Sequence, residues 1–135
     1  MIDEKQNTEI VEIIKRNVAS LVAIYRFGST ANGYAARESD VDVAILPRAP
    51  MNSMERWELQ EQLALAIHCP VDLVDLLRAS TVMRMQVVNS GILLFESDTA
   101  ARMKYETMIY SSYALLNEER REILDEVKAK GSVYG

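Results

Sequence analysis

Two short segments are central to the fold of this chain. The first is Tyr25-Arg-Phe-Gly-Ser29, and the second, after ten further residues, is Asp40-Val-Asp-Val-Ala-Ile-Leu46. The apolar run over residues 21–25 predicts a buried strand over residues 21–27, and Gly28 and Ser29 follow directly at its end. Because glycine has no Cβ, a phosphate can approach the backbone N–H groups of such a turn, and the serine hydroxyl adds a further donor. The Gly-Ser pair therefore predicts an anion-binding turn at the end of the first strand.

Paired aspartates open the second predicted strand, which covers residues 40–46. Asp40 and Asp42 are two residues apart, so a strand directs both carboxylates to one face while Val41 and Val43 occupy the other. Neighbouring carboxylates repel each other unless a cation lies between them, and oxygen ligands of this kind suit Mg²⁺. A phosphate-binding turn beside such a pair predicts a site for a triphosphate and magnesium.

A third acidic position is expected in the apolar run Val71-Asp-Leu-Val-Asp-Leu76, which predicts the third strand. The run contains Asp72 and Asp75, which are an odd number of residues apart and therefore point to opposite faces of a regular strand. One of them can join the paired aspartates. If that residue is Asp72, Asp75 is expected to lie at a helix entry or at the end of the strand and to bond Arg78. The periodicity alone leaves both assignments open.

The composition is that of a single globular domain. The chain has 135 residues, of which 49% are hydrophobic and 26% are charged, as in ordinary soluble proteins. Its net charge of −5 argues against direct binding of nucleic acid through a basic surface. We expect a cytoplasmic protein without membrane association, because the sequence shows neither a signal peptide nor a membrane-spanning run, and its one cysteine, Cys69, cannot form an internal disulfide.

The motif Gly28-Ser29-x10-Asp40-x-Asp42 resembles the signature of the DNA polymerase β nucleotidyltransferase superfamily. Over roughly residues 8–97, the small size and the flanking sequence resemble the minimal nucleotidyltransferases, the MNT antitoxins of HEPN/MNT toxin–antitoxin pairs. Family members often have an arginine shortly after the Gly-Ser pair. Here Asn32 stands at that position, and Arg37 is the candidate substitute.

The resemblance and the pattern of the chain together imply an α/β (α+β) nucleotidyltransferase fold, with a small mixed sheet of about four strands flanked by helices. Helices are predicted over residues 3–18, 53–68 and 80–89, with Gly91 as the stop of the last one, and a fourth, edge strand is predicted over 92–95. Asn52 or Ser53 is predicted to cap the helix over 53–68. In this helix Trp57 is predicted to belong to the packing stripe, with a partner surface as the alternative. Residues 1–97 are expected to form the core of the domain.

A long C-terminal helical segment is predicted over residues 98–130, as one helix or two. Its apolar side chains fall on several faces, and a helix of this kind is either well buried or in contact with another chain. Residues 98–135 are therefore expected to be a helical extension of the same domain and a candidate partner surface.

The resemblance also implies the roles of the site residues. The implied catalytic and metal-binding residues are Asp40, Asp42 and Asp72. The implied ATP-binding residues are Gly28, Ser29 and Arg37. Asp72 is favoured as the third carboxylate because its context matches the family's third aspartate better than that of Asp75. Two Mg²⁺ ions and ATP, the family's usual donor, are the implied cofactor and substrate.

The activity implied by the resemblance is a magnesium-dependent transfer of a nucleotide by in-line displacement at the α-phosphorus. We expect no additional domain for nucleic acid, and therefore expect the acceptor to be small or to belong to a partner protein. The resemblance implies the second, a tyrosine of a cognate HEPN ribonuclease toxin that adenylylation (AMPylation) silences. Two alternatives remain: a transferase acting on a small molecule, as aminoglycoside nucleotidyltransferases do, and a non-catalytic antitoxin that neutralises the toxin by docking.

Overall fold

The computed structural model describes residues 4–28 and 40–129. Its elements in chain order are α1 (Glu4–Asn17), β1 (Leu21–Phe27), β2 (Val41–Pro47), α2 (Ser53–Ile67), β3 (Val71–Asp75), α3 (Thr81–Ser90), β4 (Ile92–Glu96) and α4 (Thr99–Ala129). The four strands form one sheet in the order β3-β2-β1-β4. β1 is antiparallel to β2 and β4, and β2 is parallel to β3, so the predicted small mixed sheet is confirmed.

The sheet is buried on both faces. All seven residues of β1 are buried, as its continuous apolar character predicts. In β2, Val43 packs with residues of α1 and α2 on one face, whereas Ala44 packs with residues of α3 and α4 on the other. The central strands are therefore held in a fixed register by packing from both sides, and this register positions the candidate site.

The ends of α2 and α3 follow from their capping residues. The Asn52 side chain caps the start of α2, where it accepts a hydrogen bond from the Met54 backbone N–H at 2.7 Å. His68 ends the same helix in the left-handed conformation, with φ 58°. Gly91, predicted as the stop of α3, adopts an extended conformation, with φ −73° and ψ 158°. The position requires glycine because a Cβ would overlap the Val87 carbonyl oxygen.

The prediction that Trp57 packs in the core is wrong. Leu59 and Leu63 of α2 are buried, whereas the Trp57 side chain is 50% exposed. Residues two positions apart on a helix point about 200° apart, so a helix that buries Leu59 turns Trp57 towards solvent.

The C-terminal segment is one helix, α4, of 31 residues and therefore about 46 Å long. Its first half packs on the domain: Ile109 is 1% exposed, and the Tyr105 hydroxyl donates to the Leu76 carbonyl oxygen at 2.8 Å. From residue 117 to residue 128 every side chain is exposed, including Ile123 and Leu124 at 60% each. No helix within the described ranges is both long and apolar enough to cross a membrane.

Candidate functional site

The described site residues lie at the end of the sheet where β1 ends and where β2 and β3 begin. In the register of the sheet, Phe27 pairs with Asp42, and Asp42 pairs with Asp72. Both aspartates alternate with Val43 and Leu73, which are buried with residues of α1 and α2, so both carboxylates point to the face of α3 and α4. Adjacent strands lie about 4.8 Å apart, so these two carboxylates are neighbours.

Gly28, which follows Phe27, lies against the Asp42 carboxylate. Its φ is +75°, a conformation that residues with a Cβ rarely adopt. A Cβ at this position would also overlap Oδ2 of Asp42. Glycine is therefore required both by the turn and by the close approach of Asp42. Ser29 and Arg37 lie outside the described residues, so their predicted contacts with ATP stay predictions.

Asp42 is the most perturbed carboxylate of this group. Burial raises its pKa above the ordinary value, and the negative charges of Asp72 and then Asp40 raise the pKa further. Without a bound cation, the ionised form of Asp42 is thus unfavourable in the folded protein. A cation bound beside it would relieve both the loss of hydration and the repulsion.

The three predicted metal ligands differ in how closely they converge. Asp40 immediately precedes β2 and is exposed, and Asp72 is exposed as well. Within residues 4–28 and 40–129, no three histidine, cysteine, aspartate or glutamate side chains converge into a metal-binding group. The donor chemistry nevertheless fits Mg²⁺, because Asp42 and Asp72 are neighbouring carboxylates whose repulsion a divalent cation would relieve. The metal-binding roles of the three aspartates stay predictions.

Asp75 has a different environment from Asp72. It is 3% exposed, and its carboxylate accepts hydrogen bonds from the backbone N–H groups of Met51 at 2.7 Å and Leu77 at 2.9 Å. The predicted bond to Arg78 runs through backbone groups, since the Arg78 N–H donates to the Asp75 carbonyl oxygen at 3.0 Å. The carboxylate of Asp75 therefore fastens the end of β3, whereas Asp72 is the aspartate opposite Asp42.

Two residues of α2 contact the site strand without having been singled out in the sequence. The Leu73 N–H donates to Oε1 of Gln60 at 2.9 Å, and Nη1 of Arg56 donates to the Leu73 carbonyl oxygen at 3.0 Å. In the sequence they are polar residues four apart on a helix, a spacing also typical of solvent-exposed pairs. Only the contact with Leu73, the neighbour of Asp72, gives them a connection with the site.

The fold and the site define a class of protein. Residues 8–100 match the family model described as "Polymerase beta, Nucleotidyltransferase", and this range contains Gly28 and the predicted metal ligands Asp40, Asp42 and Asp72. The chain belongs to the polymerase β nucleotidyltransferase family.

Known proteins of this family resemble the chain over most of its length. It is 38% identical to the protein adenylyltransferase MntA of Shewanella oneidensis over 121 residues, which cover 90% of this chain and 86% of the relative. A chain in a crystal structure of a toxin–antitoxin complex with AMP-PNP matches with a TM-score of 0.82 and 37% identity, covering 90% of this chain and 97% of that one. A chain from a complex of tri-AMPylated Shewanella oneidensis HEPN toxin with MNT antitoxin matches with a TM-score of 0.78 and 34% identity, covering 92% and 97%.

Proposed function

We propose that this chain is an antitoxin that acts as a magnesium-dependent protein adenylyltransferase, moving AMP from ATP to a tyrosine of a cognate HEPN ribonuclease toxin. The observation that carries the proposal is the row formed by Gly28, Asp42 and Asp72, in a chain similar to MntA over 90% of its length. A relative's structure with AMP-PNP supports ATP as the donor, and another with an AMPylated HEPN toxin supports the acceptor class. Transfer of AMP to the toxin would neutralise it in the cytoplasm.

The proposed chemistry is an in-line displacement. The tyrosine hydroxyl oxygen bonds to the α-phosphorus of ATP, the bond from that phosphorus to the bridging oxygen of the β-phosphate breaks, and pyrophosphate leaves. Asp72 is the nearest candidate base for the hydroxyl proton. Gly28 and Ser29 hold the β- and γ-phosphates through the turn after β1, and Arg37 supplies the positive charge that Asn32 does not.

The proposed metal ligands are Asp40, Asp42 and Asp72. Magnesium bound there would supply charge stabilisation for the entering and leaving oxygens. Asp42 contributes most directly, since its carboxylate lies against Gly28 and is the one whose pKa is raised. Binding of a divalent cation would keep it ionised beside the phosphates.

The test is transfer of AMP to the toxin. The purified chain, the HEPN-type product of the neighbouring gene, ATP and Mg²⁺ are mixed, and intact mass is read on both proteins. We expect the toxin to gain the mass of one or more AMP groups. The Asp40→Asn/Asp42→Asn variant should give no gain, whereas Glu4→Gln/Glu12→Gln, which loses two exposed charges on α1, should behave as the wild type. An unmodified toxin in the wild-type mixture would contradict the proposal.

The docking alternative is favoured by one observation, the exposed second half of α4. Ile123, Leu124 and Val127 are 46–60% exposed on a helix that leaves the domain. We propose this surface as the contact with the toxin, serving either a modifying or a docking antitoxin. Retained neutralisation by the Asp40→Asn/Asp42→Asn variant would favour docking. Loss of AMP transfer together with loss of neutralisation would favour the transferase.

The contact surface has its own test. Ile123→Asp/Leu124→Asp should weaken toxin binding at least tenfold while leaving the thermal unfolding of the isolated chain unchanged, because neither side chain packs on the domain. Leu65→Asp is the matched control, since Leu65 is 77% exposed on α2. Equal binding by the wild type and the α4 variant would exclude this surface. Absence of both binding and transfer to any toxin would direct attention to a small-molecule acceptor.

A further inference from the structure

β3 is an edge strand, and side chains of α2 make hydrogen bonds to the backbone on its outer side. Its strand neighbour is β2, and the opposite edge of the sheet is β4. On the outer side of β3, the Leu73 N–H donates to Oε1 of Gln60, and the Leu73 carbonyl oxygen accepts from Nη1 of Arg56. Nη1 of Arg56 also donates to Oε1 of Gln60 at 3.2 Å. The three contacts, called here the α2 clamp, replace the pair of hydrogen bonds that a further strand would make.

The α2 clamp acts on the residue next to Asp72. Leu73 is 1% exposed, so its N–H and carbonyl groups would be costly to leave without partners. Asp72 itself pairs with Asp42 in the register between β2 and β3. Because side chains alternate along a strand, a slip of one residue would turn Asp72 to the face of α1 and α2.

Electrostatic repulsion opposes this register between β2 and β3. Asp72 and Asp42 are neighbouring carboxylates, so their repulsion tends to push the edge strand away from β2 when no cation is bound. Strand edges also fray more readily than central strands, since they have one hydrogen-bonded neighbour. Gln60 and Arg56 oppose both tendencies from a helix that packs on the same core through Leu59 and Leu63.

We propose that Gln60 and Arg56 are positioning residues for nucleotide transfer, holding the backbone of Leu73 so that the Asp72 carboxylate stays opposite Asp42. The inference rests on the proposed function, in which Asp72 is the third carboxylate. Neither residue touches the reacting atoms. Loss of the α2 clamp should therefore slow the transfer step that uses Asp72 and weaken Mg²⁺ binding. The affinity for ATP should stay nearly unchanged.

The substitutions are chosen to separate hydrogen bonding from packing. Gln60→Leu keeps the size of the side chain and removes the acceptor. Gln60→Glu retains an acceptor for the Leu73 N–H and for Arg56, and should rescue the function. Gln62→Leu, at an exposed position of the same helix, is the matched control. Arg56→Met removes only the donors and provides a second variant if Gln60→Leu fails to fold.

The readouts are steady-state AMP transfer to the toxin at varied ATP and Mg²⁺, and the rise in Tm that Mg²⁺ produces in the absence of ATP and toxin. For Gln60→Leu we expect kcat to fall about 10- to 100-fold, as for other residues that orient metal ligands, with KM for ATP within about twofold. The Mg²⁺ concentration for half-maximal rate should rise, and the Mg²⁺-induced increase in Tm should shrink. Arg56→Met should change these quantities in the same direction. Gln60→Glu and Gln62→Leu should stay within about threefold of the wild type in kcat.

The outcomes distinguish this inference from the proposed function. If the wild type transfers AMP and a folded Gln60→Leu or Arg56→Met variant matches it in kcat and Mg²⁺ dependence, the α2 clamp only covers a strand edge, and the inference is overturned. A fall in stability without a change in kcat or Mg²⁺ dependence leads to the same conclusion. If the wild type transfers no AMP, the proposed function fails, and the inference fails with it.

Discussion

Replacing each aspartate of β3 by asparagine should separate the stability of the domain from its activity. Asp75 is 3% exposed and accepts two backbone hydrogen bonds, from Met51 at 2.7 Å and from Leu77 at 2.9 Å. Asp72 is exposed and lies opposite Asp42. The same chemical change, carboxylate to amide, is therefore made once in a buried network and once at the candidate site.

The expected magnitudes follow from these environments. An asparagine at position 75 retains one acceptor oxygen, so one of the two hydrogen bonds is lost and an amide N–H faces a backbone N–H. A hydrogen bond to a charged group contributes about 1.5–3 kcal/mol, and Asp75→Asn should lower the free energy of unfolding by about that amount. Asp72→Asn should change it by less than about 0.5 kcal/mol, because the side chain is exposed. Its rate of AMP transfer should fall at least about 100-fold, which corresponds to about 3 kcal/mol of lost transition-state stabilisation.

Two measurements check this prediction. Urea unfolding of the metal-free proteins, followed by circular dichroism, gives the stabilities, and AMP transfer to the toxin is measured well below the Tm of Asp75→Asn. The reasoning is refuted if Asp72→Asn retains transfer while Asp75→Asn abolishes it without loss of stability. In that case Asp75 would be the third carboxylate. A loss of less than 0.5 kcal/mol for Asp75→Asn would show that its two hydrogen bonds do not fasten the end of β3.

The remaining predictions concern charge, packing and metal. In metal-free protein at pH 7, Asp42→Asn should raise Tm, because burial and the charges of Asp72 and Asp40 raise the pKa of Asp42 and disfavour its ionised form in the folded state. This gain should shrink as the pH falls through the raised pKa and vanish below the ordinary value of 3.8; a gain independent of pH would contradict it. Ile109→Ala should destabilise the chain by about 2–4 kcal/mol in urea unfolding, whereas Ile123→Ala should stay within about 0.5 kcal/mol, since only the first is buried. Chelation of Mg²⁺ by EDTA should abolish AMP transfer and added Mg²⁺ should restore it; transfer in EDTA would exclude the proposed metal.

Several features of the fold and of the site could be predicted because they depend on local sequence. The strand 21–27 was predicted with the bounds that the structure has, since an apolar run followed by Gly28 is a local signal. The cap at Asn52 also depends on neighbours only. Trp57 was predicted wrongly because a helix in isolation does not reveal which of its faces the sheet covers.

The amino-acid sequence alone specifies the order of the strands and helices along the chain, the glycine at the turn and the pair of aspartates two residues apart. All of these result from periodicities and conformational preferences over a few residues. Three further relations arise from the packing of the folded chain: Asp72 lies opposite Asp42, Asp75 accepts backbone hydrogen bonds, and Gln60 and Arg56 hold the edge of β3. Apart from the local hydrogen bond between Leu77 and Asp75, these relations join residues between 13 and 30 positions apart in the chain. They depend on strand register, which is set by the packing of the whole core on both faces of the sheet.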